Sequence, residues 1–258
     1  MVSQRIAIVS GIGPGLGRSI ALGLARDGAT VVLAARNGDR LDEVAAEVHA
    51  MGGEALPVAT DLTAAADRTR LIERTVDAYG RIDVLVNNAF AMGPMTPMLE
   101  TGVEAWREAF EVNVFATMDL TLGVVRVMQG QGGGAIVMIS SQAIRRTAQR
   151  RGAYAASKSA LLAATNVLAN EVGPMGIRLN SVVPGQIWAD QLRTFYEEVA
   201  SRRGVDVQSV VDGVARDMAL RRIPLAAEIA DAVVYLASER ASAITGQALD
   251  VNGGNWFH

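Results

Sequence analysis

Ile6-Ala7-Ile8-Val9-Ser10-Gly11-Ile12-Gly13-Pro14-Gly15-Leu16-Gly17-Arg18-Ser19-Ile20-Ala21 is the stretch on which the fold turns. Arg5 to Val9 is a short run of β-branched and apolar residues, and helical periodicity sets in over Arg18 to Arg26. Between them lie four glycines within seven residues. Glycine permits positive φ and removes the Cβ atoms that would obstruct a close-lying anion. A helix beginning directly after such a turn points its free N–H groups and positive dipole end at that anion. A glycine cluster alone marks only a tight turn, but between a first strand and a first helix it reads as a dinucleotide-binding turn.

Working outward, strand and helix signals alternate to the end of the chain. Thr30 to Ala34, Ala55 to Ala59, Val84 to Asn87, Ala135 to Ser140, Arg178 to Val183 and Ala248 to Val251 read as further strands. Leu41 to Ala50 and the long stretches 102–129 and 153–172 carry helical periodicity. Short apolar strands alternating with helices predict a parallel sheet buried on both faces. Right-handed crossovers then give a doubly wound, three-layer α/β/α sandwich. No repeat or linker interrupts it, so residues 1–258 read as one domain. The stretch at about 186–225 is helical and amphipathic yet inserts between two strands, at the carboxyl edge where ligands bind such sheets. It is either a mobile substrate lid or an ordinary packed helical hairpin.

Half of the 258 residues are hydrophobic and a fifth are charged, which suits a large single core. The net charge of −3 gives no electrostatic case for nucleic acid or an anionic membrane. The absence of cysteine excludes disulfides and thiolate nucleophiles, and His49 and His258 are too far apart to suggest a metal site. The chain enters its first strand with no charged, cleavable leader, and no apolar run nears the ~20 residues of a membrane span. A cytoplasmic protein is the expectation. Lys158 is the single lysine; every other basic side chain that carries a fixed charge is arginine.

Several further motifs recur in a fixed order. Gly11, Gly15 and Gly17 are spaced Gly-x3-Gly-x-Gly, Asp61-Leu62 follows the third strand, and Asn87-Asn88-Ala89 closes the fourth. Asn113 lies in a helical stretch, Ser141 ends the fifth strand, and Tyr154-Ala155-Ala156-Ser157-Lys158 follows. Pro184-Gly185 comes after the sixth strand, and Ile244-Thr245-Gly246-Gln247 with Asn252-Gly253-Gly254 closes the chain. In this set and order the sequence resembles the short-chain dehydrogenase/reductase family across nearly its whole length.

The resemblance implies a Rossmann fold and an NAD(P)-dependent oxidoreductase that moves a hydride between nicotinamide and a carbonyl or secondary alcohol. It implies catalytic roles for Asn113, Ser141, Tyr154 and Lys158. Tyr154 and Lys158, four apart in a helix, project from one face. An ammonium beside the phenol is expected to pull its pKa below ~10 so that it can exchange a proton. Lys158 would also bond the nicotinamide ribose, Ser141 would orient the substrate oxygen, and Asn113 would connect the lysine to solvent through a water. Cofactor contacts are implied for Ser10, Gly11, Ile12, Gly15, Leu16 and Gly17 at the pyrophosphate, and for Asp61 and Leu62 at the adenine. Asn88, Ala89, Tyr154, Lys158, Pro184, Gly185 and Ile187 are implied toward the nicotinamide end. Taken singly, each has a plainer reading: a packed tyrosine, a strand-end serine, an asparagine that satisfies backbone groups.

After the second strand the run Ala34-Ala35-Arg36-Asn37 has no carboxylate to bind a ribose 2′-hydroxyl. Arg36 is placed to accept a 2′-phosphate, which favours NADP(H) over NAD(H); otherwise it is a solvated loop arginine. Phe90 stands where the family motif has glycine, Ala189 where a threonine is common, and Ser10 for the usual threonine. Met92, Met95, Met98, Trp188, Phe195 and Tyr196 are candidate walls for a small apolar carbonyl or alcohol substrate. Arg145, Arg146, Arg150 and Arg151 form either a solvated loop, a subunit contact, or a dock for an anionic carrier, which would make the protein a 3-oxoacyl-thioester reductase. Trp256-Phe257 suits a subunit interface, and the resemblance implies a homotetramer or dimer. A non-catalytic cofactor-binding sensor or scaffold is the alternative from another class.

Overall fold

The computed structural model describes residues 5–100 and 102–257. Seven parallel strands are present: β1 (Ile6–Ser10), β2 (Thr30–Ala35), β3 (Ala55–Ala59), β4 (Val84–Asn87), β5 (Gly134–Ile139), β6 (Ile177–Pro184) and β7 (Ala248–Val251). They form one sheet in the order β3-β2-β1-β4-β5-β6-β7. The order reverses at β1, so β1 and β4 diverge to β2 and β5 and open a crevice above their carboxyl ends.

The helices are α1 (Leu16–Arg26), α2 (Gly38–Ala50), α3 (Ala65–Tyr79), α4 (Val103–Phe110), α5 (Thr117–Gln131), α6 (Gly152–Val172), α7 (Asp190–Arg203), α8 (Val207–Ala215) and α9 (Ala226–Ala237). Two cores sandwich the sheet because strand side chains alternate. Ala7 and Val9 of β1 face α1, α2 and α9 with Ile20, Leu41 and Val233. Ile6 and Ile8 face α3, α5 and α6 with Leu71, Leu120 and Leu161. β3 lies at the sheet edge and is the least buried beside β7, which tolerates Pro57, a residue without a ladder N–H.

The sequence-derived strand boundaries hold to within about a residue, whereas α1 and α2 begin two and three residues before the stretches read as helical, and two further differences are informative. The long helical stretch over 102–129 is divided: α4 and α5 are joined by a π-helical turn over Glu111–Ala116, which holds Asn113. Residues 186–225 form a helical hairpin with a small core of its own, Tyr196, Ala200, Val210, Met218 and Ile223. Among the candidate pocket walls, Tyr196 is therefore a core residue, and Trp188 tilts against its ring at 6.3 Å. His258 lies outside the described residues.

Candidate active site

The glycine turn divides into two closed positions and two open ones. Gly11 sits at φ +88°, and a Cβ there would lie 2.3 Å from the Ala89 nitrogen. A Cβ on Gly17 would lie 2.3 Å from the Gly11 carbonyl oxygen. Those two glycines let β1, β4 and α1 approach one another. The Gly11 and Ile12 N–H groups donate to the Ala34 carbonyl, at 2.8 and 3.2 Å, and Asn88 Nδ2 donates to the Gly11 carbonyl at 2.6 Å. Ile12 and Asn88 therefore brace the turn. Gly13 has open space above it, and Gly15 faces only the Ala189 methyl beyond β6. No side chain caps the N-terminus of α1. An uncapped helix start behind a surface cleared of Cβ atoms fits a dinucleotide pyrophosphate.

The rest of that crevice is polar where a nucleotide needs partners. Arg36 leaves β2 exposed, and among the described residues it has no ion pair or hydrogen bond. Asp61 accepts from the Thr63 N–H and hydroxyl through one carboxylate oxygen, and those bonds hold its pKa below the ordinary value. Its second oxygen has no partner among the described residues, and Leu62 is buried beside it. Ser10 is buried at the end of β1 with its hydroxyl unpartnered. Pro184 and Gly185 close β6, and Ile187 packs on the α1–α9 core.

Across the crevice, Tyr154 and Lys158 share the buried face of α6. Ser141 caps the short turn Gln142–Ile144, its hydroxyl accepting from the Ala143 N–H at 3.2 Å. The same hydroxyl hydrogen bonds the Tyr154 phenol. Burial raises the phenol's pKa, and the Ser141 bond and the Arg151 charge pull it partly back. Lys158 is 2% exposed, and desolvation lowers its pKa to about 8. Its Nζ donates to the Ile139 carbonyl of β5 at 2.8 Å. The expectation that the ammonium depresses the phenol is thus not met in the free protein: the lysine is turned to β5 and the nearby cation is Arg151.

Asn113 is wholly buried and its amide is heavily committed. Nδ2 donates to the Ala91 carbonyl at 2.8 Å and to Ser157 Oγ at 2.9 Å, and Oδ1 accepts from the Ala91 N–H at 2.8 Å. It pins the exit of β4 to α6, and a water relay would have to use its remaining Oδ1 lone pair or its main chain. Ser157, whose hydroxyl also donates to the Tyr154 carbonyl at 2.9 Å, was not singled out from sequence. Its place inside the Tyr154–Lys158 motif was the available signal. Phe90 meets Tyr154 edge-on at 6.3 Å, so the residue replacing the motif glycine lines the same site.

Comparison with known proteins agrees with this geometry. A family model described as enoyl-(acyl carrier protein) reductase matches residues 11–255. The 7alpha-hydroxysteroid dehydrogenase of Escherichia coli (strain K12) is 32% identical over 250 residues, covering 97% of this chain and 93% of that protein. This chain is a short-chain dehydrogenase/reductase. The crystal structure of L-sorbose reductase from Gluconobacter frateurii with NADPH and L-sorbose superposes with a TM-score of 0.94 at 32% identity, covering 100% of this chain and 98% of that one. A 7 alpha-hydroxysteroid dehydrogenase complexed with NADH and 7-oxo glycochenodeoxycholic acid gives 0.87 at 32% identity, covering 97% and 93%. The short-chain dehydrogenase/reductase described here is accordingly an NAD(P)-dependent oxidoreductase. Among its described residues no helix is long and apolar enough to cross a membrane.

Proposed function

We propose that this enzyme is an NADPH-preferring reductase of small apolar ketones, with Tyr154 as the proton donor. The observation that carries this reading is the buried Tyr154 phenol beside Ser141 on the face of α6 shared with Lys158, where burial favours the neutral, proton-donating form. A bound nicotinamide supplies the hydride, or accepts it in the reverse direction. Tyr154 gives its proton to the carbonyl oxygen as that oxygen gains charge, and Ser141 orients the oxygen. Lys158, released from Ile139, would hold the nicotinamide ribose. Asn113 and Ser157 fix the relation of α6 to β4.

Gly15, Leu16 and Gly17 present the N-terminus of α1 to the pyrophosphate, with Ser10, Gly11, Ile12, Asn88 and Ala89 shaping the turn. Arg36 would bind a 2′-phosphate, Asp61 and Leu62 the adenine, and Pro184, Gly185 and Ile187 the carboxamide side. The α7–α8 hairpin, built on its own core at the carboxyl edge, acts as the substrate lid of a single domain. Exposed Phe115, Leu122 and Val167 support a homotetramer or dimer; a cytoplasmic location belongs to the same proposal.

A second reading, reduction of a 3-oxoacyl thioester on an anionic carrier, is supported by Arg146, Arg150 and Arg151. These have no carboxylate partner among the described residues, whereas Arg145 lies 3.7 Å from Asp250. Replacing Arg146 and Arg150 with alanine, which leaves the Arg151 charge beside Tyr154, should raise KM for carrier-bound substrates only; equal effects on a small neutral ketone would exclude it. The complete Ser141–Tyr154–Lys158 set argues against a non-catalytic sensor or scaffold. Side-by-side fluorescence titration with NADPH and NADH tests the reading first: tighter NADH binding would overturn the role of Arg36.

A further inference from the structure

The C-terminal segment reaches both the Ser141 turn and the α7–α8 hairpin, and one side-chain amide makes both contacts. Asn255 Oδ1 accepts from Gln142 Nε2 at 2.6 Å, and Asn255 Nδ2 donates to the Asp217 carbonyl at 3.3 Å. Gln142 directly follows Ser141 and opens the turn that Ser141 caps. Asp217 adjoins Met218, a member of the hairpin's own core.

We infer that Asn255 is a positioning residue for Ser141, acting through Gln142, and that it ties the orientation of the Ser141 hydroxyl to the seating of the α7–α8 hairpin. The inference rests on the role proposed above for Ser141. The Gln142 side chain is held by that one amide bond among the described residues. Its Oε1 is buried with no partner, directly over Gly185, where a Cβ would lie 2.5 Å away. The Nε2 bond to Asn255 therefore fixes the one free end of that side chain.

Anchoring the chain end does not require Asn255. Asn252 already closes the tail, accepting from the Gly254 N–H at 2.8 Å and the Asn255 N–H at 3.2 Å and donating to the Trp256 carbonyl at 3.1 Å. The hairpin is also held independently, by Ala219 N–H to the Gly254 carbonyl and Leu220 N–H to the Gly253 carbonyl, at 3.1 and 3.0 Å. What the Asn255 amide adds is a link between the Ser141 turn, through Gln142, and the hairpin, through Asp217. A hydroxyl displaced by about an ångström can reduce turnover by orders of magnitude, so a link of this kind acts on kcat.

Asn255→Asp separates the two arms, because a carboxylate still accepts from Gln142 but cannot donate to Asp217. The measurement is kcat and KM for whichever ketone the enzyme reduces best, in Asn255→Asp, Ser141→Ala and the double variant. We expect Asn255→Asp to lower kcat roughly ten-fold, with KM for NADPH and the unfolding midpoint unchanged. In the Ser141→Ala background it should lower kcat no further, since the hydroxyl it positions is gone. Equal losses in both backgrounds, or full kcat in Asn255→Asp alone, overturn the inference. If Ser141→Ala itself keeps full kcat, the role of Ser141 falls and the inference with it, and that single variant shows which has failed. Should Asn255→Asp unfold, Gln142→Leu cuts the other arm, and the same pattern in the two backgrounds decides.

Discussion

Replacing Lys158 with methionine should remove a pH dependence of stability that only a buried lysine can produce. The side chain is 2% exposed, and desolvation brings its pKa from the ordinary 10.5 to about 8. At 1.36 kcal/mol per pH unit that drop corresponds to roughly 3 kcal/mol by which burial disfavours the charged form. Methionine removes this penalty but leaves the Ile139 carbonyl without its donor, a loss of about 1–3 kcal/mol. The two nearly cancel at neutral pH, so the slope with pH is the diagnostic quantity. Below pH 8 the lysine is protonated in both folded and unfolded chains. Above it the native lysine gives up its proton while the unfolded one keeps it until pH 10.5. The unfolded state then binds more protons, so stability rises with pH, by about 1.4 kcal/mol per unit and roughly 2 kcal/mol between pH 8 and 9.5. Lys158→Met lacks this gain, and the other groups contribute alike to both proteins. Tyr154, which burial shifts upward from the ordinary phenol value, stays outside the window. Urea unfolding of both proteins from pH 7 to about 9.5 measures the difference. Parallel stability curves would show that water or a carboxylate reaches Nζ, and would refute the argument.

Other consequences can be checked more quickly. Tyr154→Phe should lower kcat by roughly 10²–10⁴ while the Kd for NADPH holds, and a variant of near-normal kcat would remove Tyr154 as proton donor. In the free protein the ultraviolet difference between wild type and Tyr154→Phe should show phenolate only at higher pH than a free tyrosine does; its appearance nearer neutrality would mean that a cation governs the phenol after all. Arg36→Ala should weaken NADPH binding roughly ten-fold to a hundred-fold and leave NADH unchanged, from the ~1.5–3 kcal/mol of a charged hydrogen bond; equal loss for both cofactors would make Arg36 an adenine contact only. Gly11→Ala, forced to φ +88° with its methyl against the Ala89 backbone, should destabilise by more than ~2 kcal/mol and abolish cofactor binding. Gly13→Ala, facing open space, should unfold within about 0.5 kcal/mol of wild type, and similar midpoints for the two variants would contradict the account of the turn.

The strands and the glycine turn were legible in the sequence because each is a local signal. A strand buried on both faces, such as β1, is apolar up to its closing Ser10, and a turn that admits a backbone at 2.3 Å must be glycine. Tyr154 and Lys158 were legible by their helical spacing. What the two side chains touch was not. Lys158 bonds Ile139, nineteen positions earlier on β5, and Gln142 meets Asn255, 113 positions later. Periodicity carries no information about contacts at that separation. The π-helical turn around Asn113 escaped for a related reason: its apolar pattern differs little from that of an α-helix, and only the packing of Asn113 between Ala91 and Ser157 shows the widening. Whether Tyr196 faces a core or a ligand stayed open in the sequence, because an aromatic residue facing a small core and one facing a ligand look alike there.

The opposite shifts at Tyr154 and Lys158 have one cause and a bearing on direction. Burial disfavours whichever form is charged, so it raises a phenol and lowers an ammonium. In water the two groups lose their protons at nearly the same pH. In this site burial moves the phenol upward and the ammonium down to about 8, so the two part. On the proposed roles, Tyr154 ends a reduction as a phenolate, the stronger base of the two. Returning a proton to it from the lysine side is then downhill, and the lysine, titrating close to neutral pH, is readily recharged from solvent. Oxidation has to move the same proton uphill and begin from a phenol that burial holds protonated. The buried pair therefore returns Tyr154 to its protonated form between turnovers, the form from which the proposed reduction starts.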